Sequence, residues 1–241
     1  TGGIIGARNG STTELSFSVE VLNGEITTEN NGLVKIVNST SFDNVTLTNG
    51  SALEIANNQE LTVKTALVND GNILFNDQTA GVLTQLDIEG NVDYSGSGTI
   101  SASDSFENRL TDVGVDAVFN NNTNLLVDSG QLRISGLDIN NQGSITAGAG
   151  STVHLQAGTH ITGGTITTIG DGILRTDTSG SGLILEDVTI GTGGIFTVDN
   201  NLGFEVRGNL GLDGNIRQLD SDSSFTTRVE LEGDVVFLGG T

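Results

Sequence analysis

The 241-residue chain has no cysteine, methionine, tryptophan or proline, a single tyrosine, and only nine basic residues. Each gap excludes something. Without cysteine there is no disulfide framework and no thiolate metal site, so a chain exported to an oxidising compartment must draw stability from another source. With no tryptophan and 4% aromatics, a core built on large aromatic anchors is not expected, and small aliphatics must do the packing. The lack of proline suits a sheet in which every inner strand donates its N–H groups to both neighbours. The lack of methionine leaves no start residue, and the chain is expected to be a mature or excised segment of something longer. Thirty acidic residues against nine basic ones give a formal charge of -21, which repels phosphate backbones and anionic lipid surfaces. No nucleic acid and no membrane insertion are therefore expected, and no apolar run approaches the roughly 20 residues of a membrane span. What is present is glycine, at 35 residues, and small aliphatic side chains in regular alternation, which argues against disorder.

Repeats carry most of the information. The stretch GTITTIGDGILR (164–175) has a near twin in GEITTENNGLVK (24–35), and a shift of 140 also aligns 7–15 with 147–155. A shift of 143 aligns 45–98 with 188–241 without a gap, with 17 identities in 54 positions. Residues 1–98 thus correspond to 141–241, and 99–140 is the part of a unit of about 140 residues seen once. A shorter period runs inside the long one. VTLTNGSALEI (45–55) and VTIGTGGIFTV (188–198) both read apolar-x-apolar, a glycine turn, then apolar-x-apolar. The turn glycines at 24, 50, 71, 90 and 114 are 19 to 26 residues apart. Such alternation predicts two short strands, each with one buried face, joined by a bend. Phe106, Leu110, Val113 and Ala117 have the spacing of a helix face, but FENRLTDVG (106–114) matches FTTRVELEG (225–233), which reads as strand then turn. Residues 106–119 are accordingly assigned to a coil of the sheet.

Strands that recur about every 20 residues cannot all be hairpin partners, but they can stack in parallel on the equivalent strand of the next coil. The expected fold is all-β: a single-stranded parallel β-helix, or β-solenoid, of about eleven coils, continuous over residues 1–241. At the roughly 4.8 Å spacing of any sheet it would be a rod of about 50 Å. Glycine and the pairs Asn30-Asn31, Asn57-Asn58, Asn140-Asn141 and Asn200-Asn201 are expected at the bends, where left-handed backbone costs them least, with asparagines hydrogen-bonding up and down the rod. A β-sandwich, the competing architecture, normally sets off its strands with the proline and aromatic corners that this chain lacks.

The corners LVNDGNI (67–73) and INNQGSI (139–145), with GGTIT (163–167), resemble the β-helical shafts of bacterial secreted adhesins, namely filamentous-haemagglutinin-like proteins and autotransporter passenger domains. That resemblance implies an extracellular, cell-surface location and a non-enzymatic structural or adhesive rod. Its implied partners are further copies of the repeat in a parent chain and a host or glycan receptor. The strand pair VELEGDVVF (229–237) carries no polar cap after it, and an open edge of this kind is a template for more strands. Continuation of the solenoid or end-to-end self-association is expected.

No catalytic or cofactor-binding residue is assigned. The alternative function, a carbohydrate-binding or carbohydrate-cleaving β-helix of the polysaccharide lyase or hydrolase type, calls for two carboxylates at a set separation and aromatic platforms. Asp220 and Asp222, or Glu186 and Asp187, are the carboxylate pairs available, and Tyr94 is the lone tyrosine. His154 and His160 alternate with Val153, Leu155 and Ile161, so both are expected on the outer surface as ordinary exposed histidines; zinc would need a third ligand. Calcium is the metal expected if one binds, with Asp171, Asp220 and Asp222 as its candidates. Thr46-x-Thr48 and Thr165-x-Thr167 have the form of an ice-binding face, but the aligned partner of Thr48 is Gly191, which breaks the array. Gly180-Ser181-Gly182 reads as a loop rather than a nucleophile elbow.

Overall fold

Successive side chains of an extended strand point to opposite faces, so an apolar-x-apolar triplet builds a strand with one buried side. A computed structural model describes residues 2–114, 116–177, 182–219 and 227–239, and among them this pattern yields 28 strands and no helix. The strands pair in parallel and sort into three ladders, so each coil is a three-sided loop. Asp138–Asn141, Ser144–Ala147 and Ser151–Leu155 are the three faces of one coil. They pair in turn with His160–Thr162, Thr165–Thr168 and Ile173–Thr176 of the next. Ten such coils and the first two faces of an eleventh run from Ile4 to Gly239, in keeping with the expected β-solenoid of about eleven.

Four strands, Asn124–Ser135, Ile184–Ile190, Gly203–Leu212 and Arg228–Gly239, turn a corner unbroken and serve two faces each. The register slips at Asp128 in the first of them and next to Asp187 and Gly208, whose left-handed backbone (φ 53° and 63°) swings the strand onto the next face. The last described strand, Arg228–Gly239, runs unbroken through Gly233 yet pairs on two faces, as the strand pair read from 229–237 requires. Its inward-facing Leu231 and Phe237 remain 55% and 50% exposed.

Inward side chains stack in columns. Val34, Leu53, Ile73, Ile100 and Val127 form one in the second ladder, and each is fully buried. Leu61, Leu86, Leu110, Ile134 and Leu155 form one in the third, and Val92, Phe119, Ile139, Ile161, Leu185 and Val206 one in the first. Burying one such side chain contributes about 1.5–3 kcal/mol, so the columns, with the buried rings of Phe42, Phe75, Tyr94, Phe119 and Phe196 among them, supply what disulfides do not. Segment 106–119 joins them as strands Asn108–Asp112 and Val118–Asn121, and its helix-like spacing has no structural consequence.

Asparagine does appear at bends: Asn30, Asn31, Asn58 and Asn201 have φ between 51° and 65°. Asn140-Asn141 is a correction, because the pair ends a strand rather than filling a corner. Asn141 points inward at 2% exposure; it accepts from Asn121 Nδ2 at 2.7 Å and donates to the carbonyls of Gly163 and Thr165. A second run climbs the outside, from Asn140 to Asn120 to Asn91 at 2.9 and 2.6 Å. These bonds satisfy amides that would otherwise weaken a tightly wound coil.

The sequence twins occupy adjacent faces. Ile26 lies in the first ladder, paired with Leu47, whereas Ile166 lies in the second, between Ile145 and Ile190. Likewise Val45 belongs to the first ladder and Val188 to the second, while Leu53 belongs to the second and Phe196 to the third. An apolar-x-apolar strand fits any of the three faces equally well.

Candidate functional site

Chemistry-bearing side chains collect on the outer wall of the third ladder. Outward positions lie in register from coil to coil, so Arg109, Arg133, His154 and Arg175 stand in a single column, continued by Thr197 and Arg217. Four of the nine basic residues of a strongly acidic chain fall in that column. The sequence reading missed it. The signal that could have found it is the recurrence of basic residues at coil-length intervals, 24, 21 and 21 residues from Arg109 to Arg175.

Carboxylates answer the column. Glu107 Oε2 lies 3.5 Å from both Arg109 Nη2 and Arg133 Nη1, Arg175 Nε donates to Asp199 Oδ2 at 2.7 Å, and His154 Nδ1 lies 2.9 Å from Asp177 Oδ2. The corner loop at 103–107 closes over the middle. The Phe106 ring centroid is 3.9 Å from the Arg133 guanidinium carbon and 5.0 Å from the His154 ring, which it meets edge to face, and its carbonyl accepts from Arg133 Nη1 at 2.9 Å. Cation–π contact and the carbonyl together hold the loop down. As a result Arg133 is 8% and His154 5% exposed.

His154 is therefore a correction: it points outward as read, but it is buried, because a loop from two coils away covers it. His160 is partly exposed and bonds Glu186 Oε2 at 2.8 Å. Burial, then Arg175 and Arg133, bring the His154 imidazole down to about 4, so it is neutral near pH 7. Burial pushes the Asp177 carboxyl up, against the pull of Arg133 and Arg175. Burial, with Arg109 beside it, also lowers the Arg133 guanidinium. The cluster is a closed clasp that fastens a loop, and its charges face one another rather than a cleft.

Asp87 lies on the same wall, in register with Thr62 and Thr111, and is 3% exposed. Burial, then the carboxylates of Glu60 and Asp112, push it up to about 7. Gln85 Nε2 donates to its Oδ1 at 3.3 Å. The Asp87 carboxyl therefore holds its proton well above the ordinary carboxylate range.

The remaining sequence candidates are dispersed. Asp171 sits at an exposed corner, where its Oδ1 accepts from the Gly150 N–H of the preceding coil at 2.8 Å, a tie between corners. Asp220, Asp222 and Ser181 lie outside the described residues. Glu186 turns to His160, while Asp187 Oδ1 accepts from Asn209 N and Nδ2, each at 2.8 Å, so the two do not act together. Asp187, Asn209, Gly211, Asp213 and Leu238 line an open hollow of about 330 Å³ that contains no aromatic side chain. Tyr94 is 1% exposed, pushed up to about 12 by burial, and accepts from Asn69 Nδ2, so it offers no sugar platform. Among the described residues no group of three or more His, Asp or Glu side chains is disposed to hold a metal ion. No protein-family model matches the chain, and neither does any curated protein or solved structure.

Proposed function

We propose that the chain is a structural and adhesive rod segment of an exported prokaryotic surface protein, without catalytic activity. The observation that carries this reading is the continuity of the three parallel ladders, each coil hydrogen-bonded to the ones above and below from one end to the other. A continuous sheet with stacked aliphatic columns resists bending, and a charge of -21 keeps neighbouring rods apart. Outer polar groups support the same reading, since Arg133 under Phe106, Asp171 on Gly150 and Asp187 on Asn209 all tie coil to coil. The partners are further copies of the repeat and a host or glycan receptor, and the location is the cell surface. Labelling intact cells with a membrane-impermeant amine reagent tests the export this requires. Lysine-labelled chain should be recovered from unbroken cells; labelling that appears only after lysis would overturn the reading.

One observation favours a carbohydrate-cleaving reading instead. Asp87, whose carboxyl is pushed up to about 7 by burial and by Glu60 and Asp112, has the environment of a general acid in glycoside cleavage. Its 3% exposure keeps it from any glycosidic oxygen as the wall stands. Turnover of acidic or neutral polysaccharides that is lost in Asp87→Asn would replace the rod by an enzyme.

A further inference from the structure

Lys35, Glu54 and Asn76 come from three consecutive coils and meet on the outer side of the second ladder. Lys35 and Glu54 are register partners, and Asn76 lies two residues beyond Leu74, the partner of Glu54 on the next coil. Lys35 Nζ is 2.8 Å from Glu54 Oε1, and Asn76 Nδ2 donates to the same oxygen at 3.0 Å. Although Glu54 points outward, it is only 5% exposed. Gln78 Nε2 donates to Asn76 Oδ1 at 2.5 Å, which polarises the carboxamide carbonyl. A primary amine, a primary amide and a buried carboxylate thus share one oxygen, and a donor already sits where negative charge would develop.

We propose that Lys35 and Asn76 join in an intramolecular isopeptide bond, with Glu54 as the proton carrier. Glu54 takes a proton from the Lys35 ammonium, and the freed amine attacks Asn76 Cγ, forming the Nζ–Cγ bond. The oxyanion that develops on Asn76 Oδ1 is held by the Gln78 N–H. Glu54 passes its proton to Nδ2, the Cγ–Nδ2 bond breaks, and Glu54 relays the second Nζ proton to the departing ammonia, so that nitrogen leaves as ammonium carrying the positive charge that Lys35 gives up. No oxidation or reduction occurs, and Glu54 ends as a carboxylate able to accept from the new amide N–H. Holding both nitrogens on one oxygen makes the encounter intramolecular, and the Lys35 side chain, 30% exposed, must swing from Glu54 to Asn76 Cγ to complete it. The bond would tie residues 41 positions apart across three coils, in a chain with no cysteine to do so. The other lysine ion pair, Lys64 with Glu20 at 2.7 Å, has no amide bonded to its carboxylate among the described residues and should not react.

Mass spectrometry of the whole purified chain tests this. The expected intact mass is about 17 Da below that of the sequence, the mass of ammonia lost when a lysine amine displaces an amide, and digestion should release a branched peptide joining Lys35 to Asn76. Cyclisation at an Asn-Gly step sheds the same mass, so the branched peptide is the deciding readout. Lys35→Arg keeps the ion pair but has no reactive amine, and Glu54→Gln removes the proton carrier; both should lack the branched peptide while giving the circular dichroism of the parent. Separate, unmodified Lys35 and Asn76 peptides from the parent chain would overturn the proposal, as would a branched peptide that persists in Glu54→Gln.

Discussion

Asp87 and His154 stand on the same outer wall, and burial drives their titrations in opposite directions. The folded chain holds the Asp87 proton from its ordinary 3.8 up to about 7, where the unfolded chain has released it. The stability this group contributes is therefore fully present below about pH 4 and is lost as the pH rises to about 7. His154 moves from 6.5 down to about 4, so its contribution is present above 6.5 and is lost as the pH falls toward 4. Between those limits the two slopes oppose each other. Asp87→Asn should stabilise the chain relative to the parent at about pH 8 by a few kcal/mol and gain much less at about pH 4. His154→Gln should show its gain at the acidic end. Urea unfolding across this range measures both, and an Asp87→Asn offset that does not vary with pH would remove burial as the cause. The outward direction of His154 was read from alternation, whereas the burial of neither residue was. For His154 it depends on Phe106, while neighbouring coils add the carboxylates that push Asp87 up further.

Among the elements, corners are where single residues decide whether coils can close-pack. A Cβ on Gly143 would stand 1.8 Å from the Thr123 carbonyl oxygen of the preceding coil, so glycine is there for close approach. Gly50 is there for its backbone: φ is 74°, and a Cβ would meet nothing. Gly50→Ala should cost about 1–2 kcal/mol, the penalty of a left-handed L-residue. Gly143→Ala forces two coils apart and should cost about 3 kcal/mol or more. Chemical denaturation of both variants decides it, and equal costs would mean that the close approach at Gly143 relaxes freely. Glycine and asparagine at most corners were readable because few residues adopt positive φ. Asn140-Asn141 shows the limit of that reading, since asparagine also serves inside a strand when a neighbouring coil supplies its partners.

At the scale of the molecule, a solenoid coil touches only the coils beside it, so stability is a nearest-neighbour sum and the ends are weakest. Ile4 and Phe17 in the first coil are 70% and 88% exposed, and in the last described strand Leu231 and Leu238 are 55% and 51% exposed. Hydrogen exchange should accordingly be slowest in coils between Val34 and Leu174, whose inner columns are buried, and fastest in Ile4–Arg8 and Arg228–Gly239. Uniform protection along the chain would show instead that the rod unfolds as one unit.

By itself the sequence determined the in-and-out alternation, the coil length and the parallel stacking that follows from them, because each is set by side chains within a few residues of one another. Only the tertiary structure decided which face a strand occupies and what lies above it. Coils differ in length, and the unit of about 140 residues is not a whole number of them, so Ile26 and Ile166 land on different faces despite their matching surroundings. The same accumulation of corner lengths brought Arg109, Arg133, His154 and Arg175 into one column, and set Lys35, Glu54 and Asn76 within reach of a single oxygen.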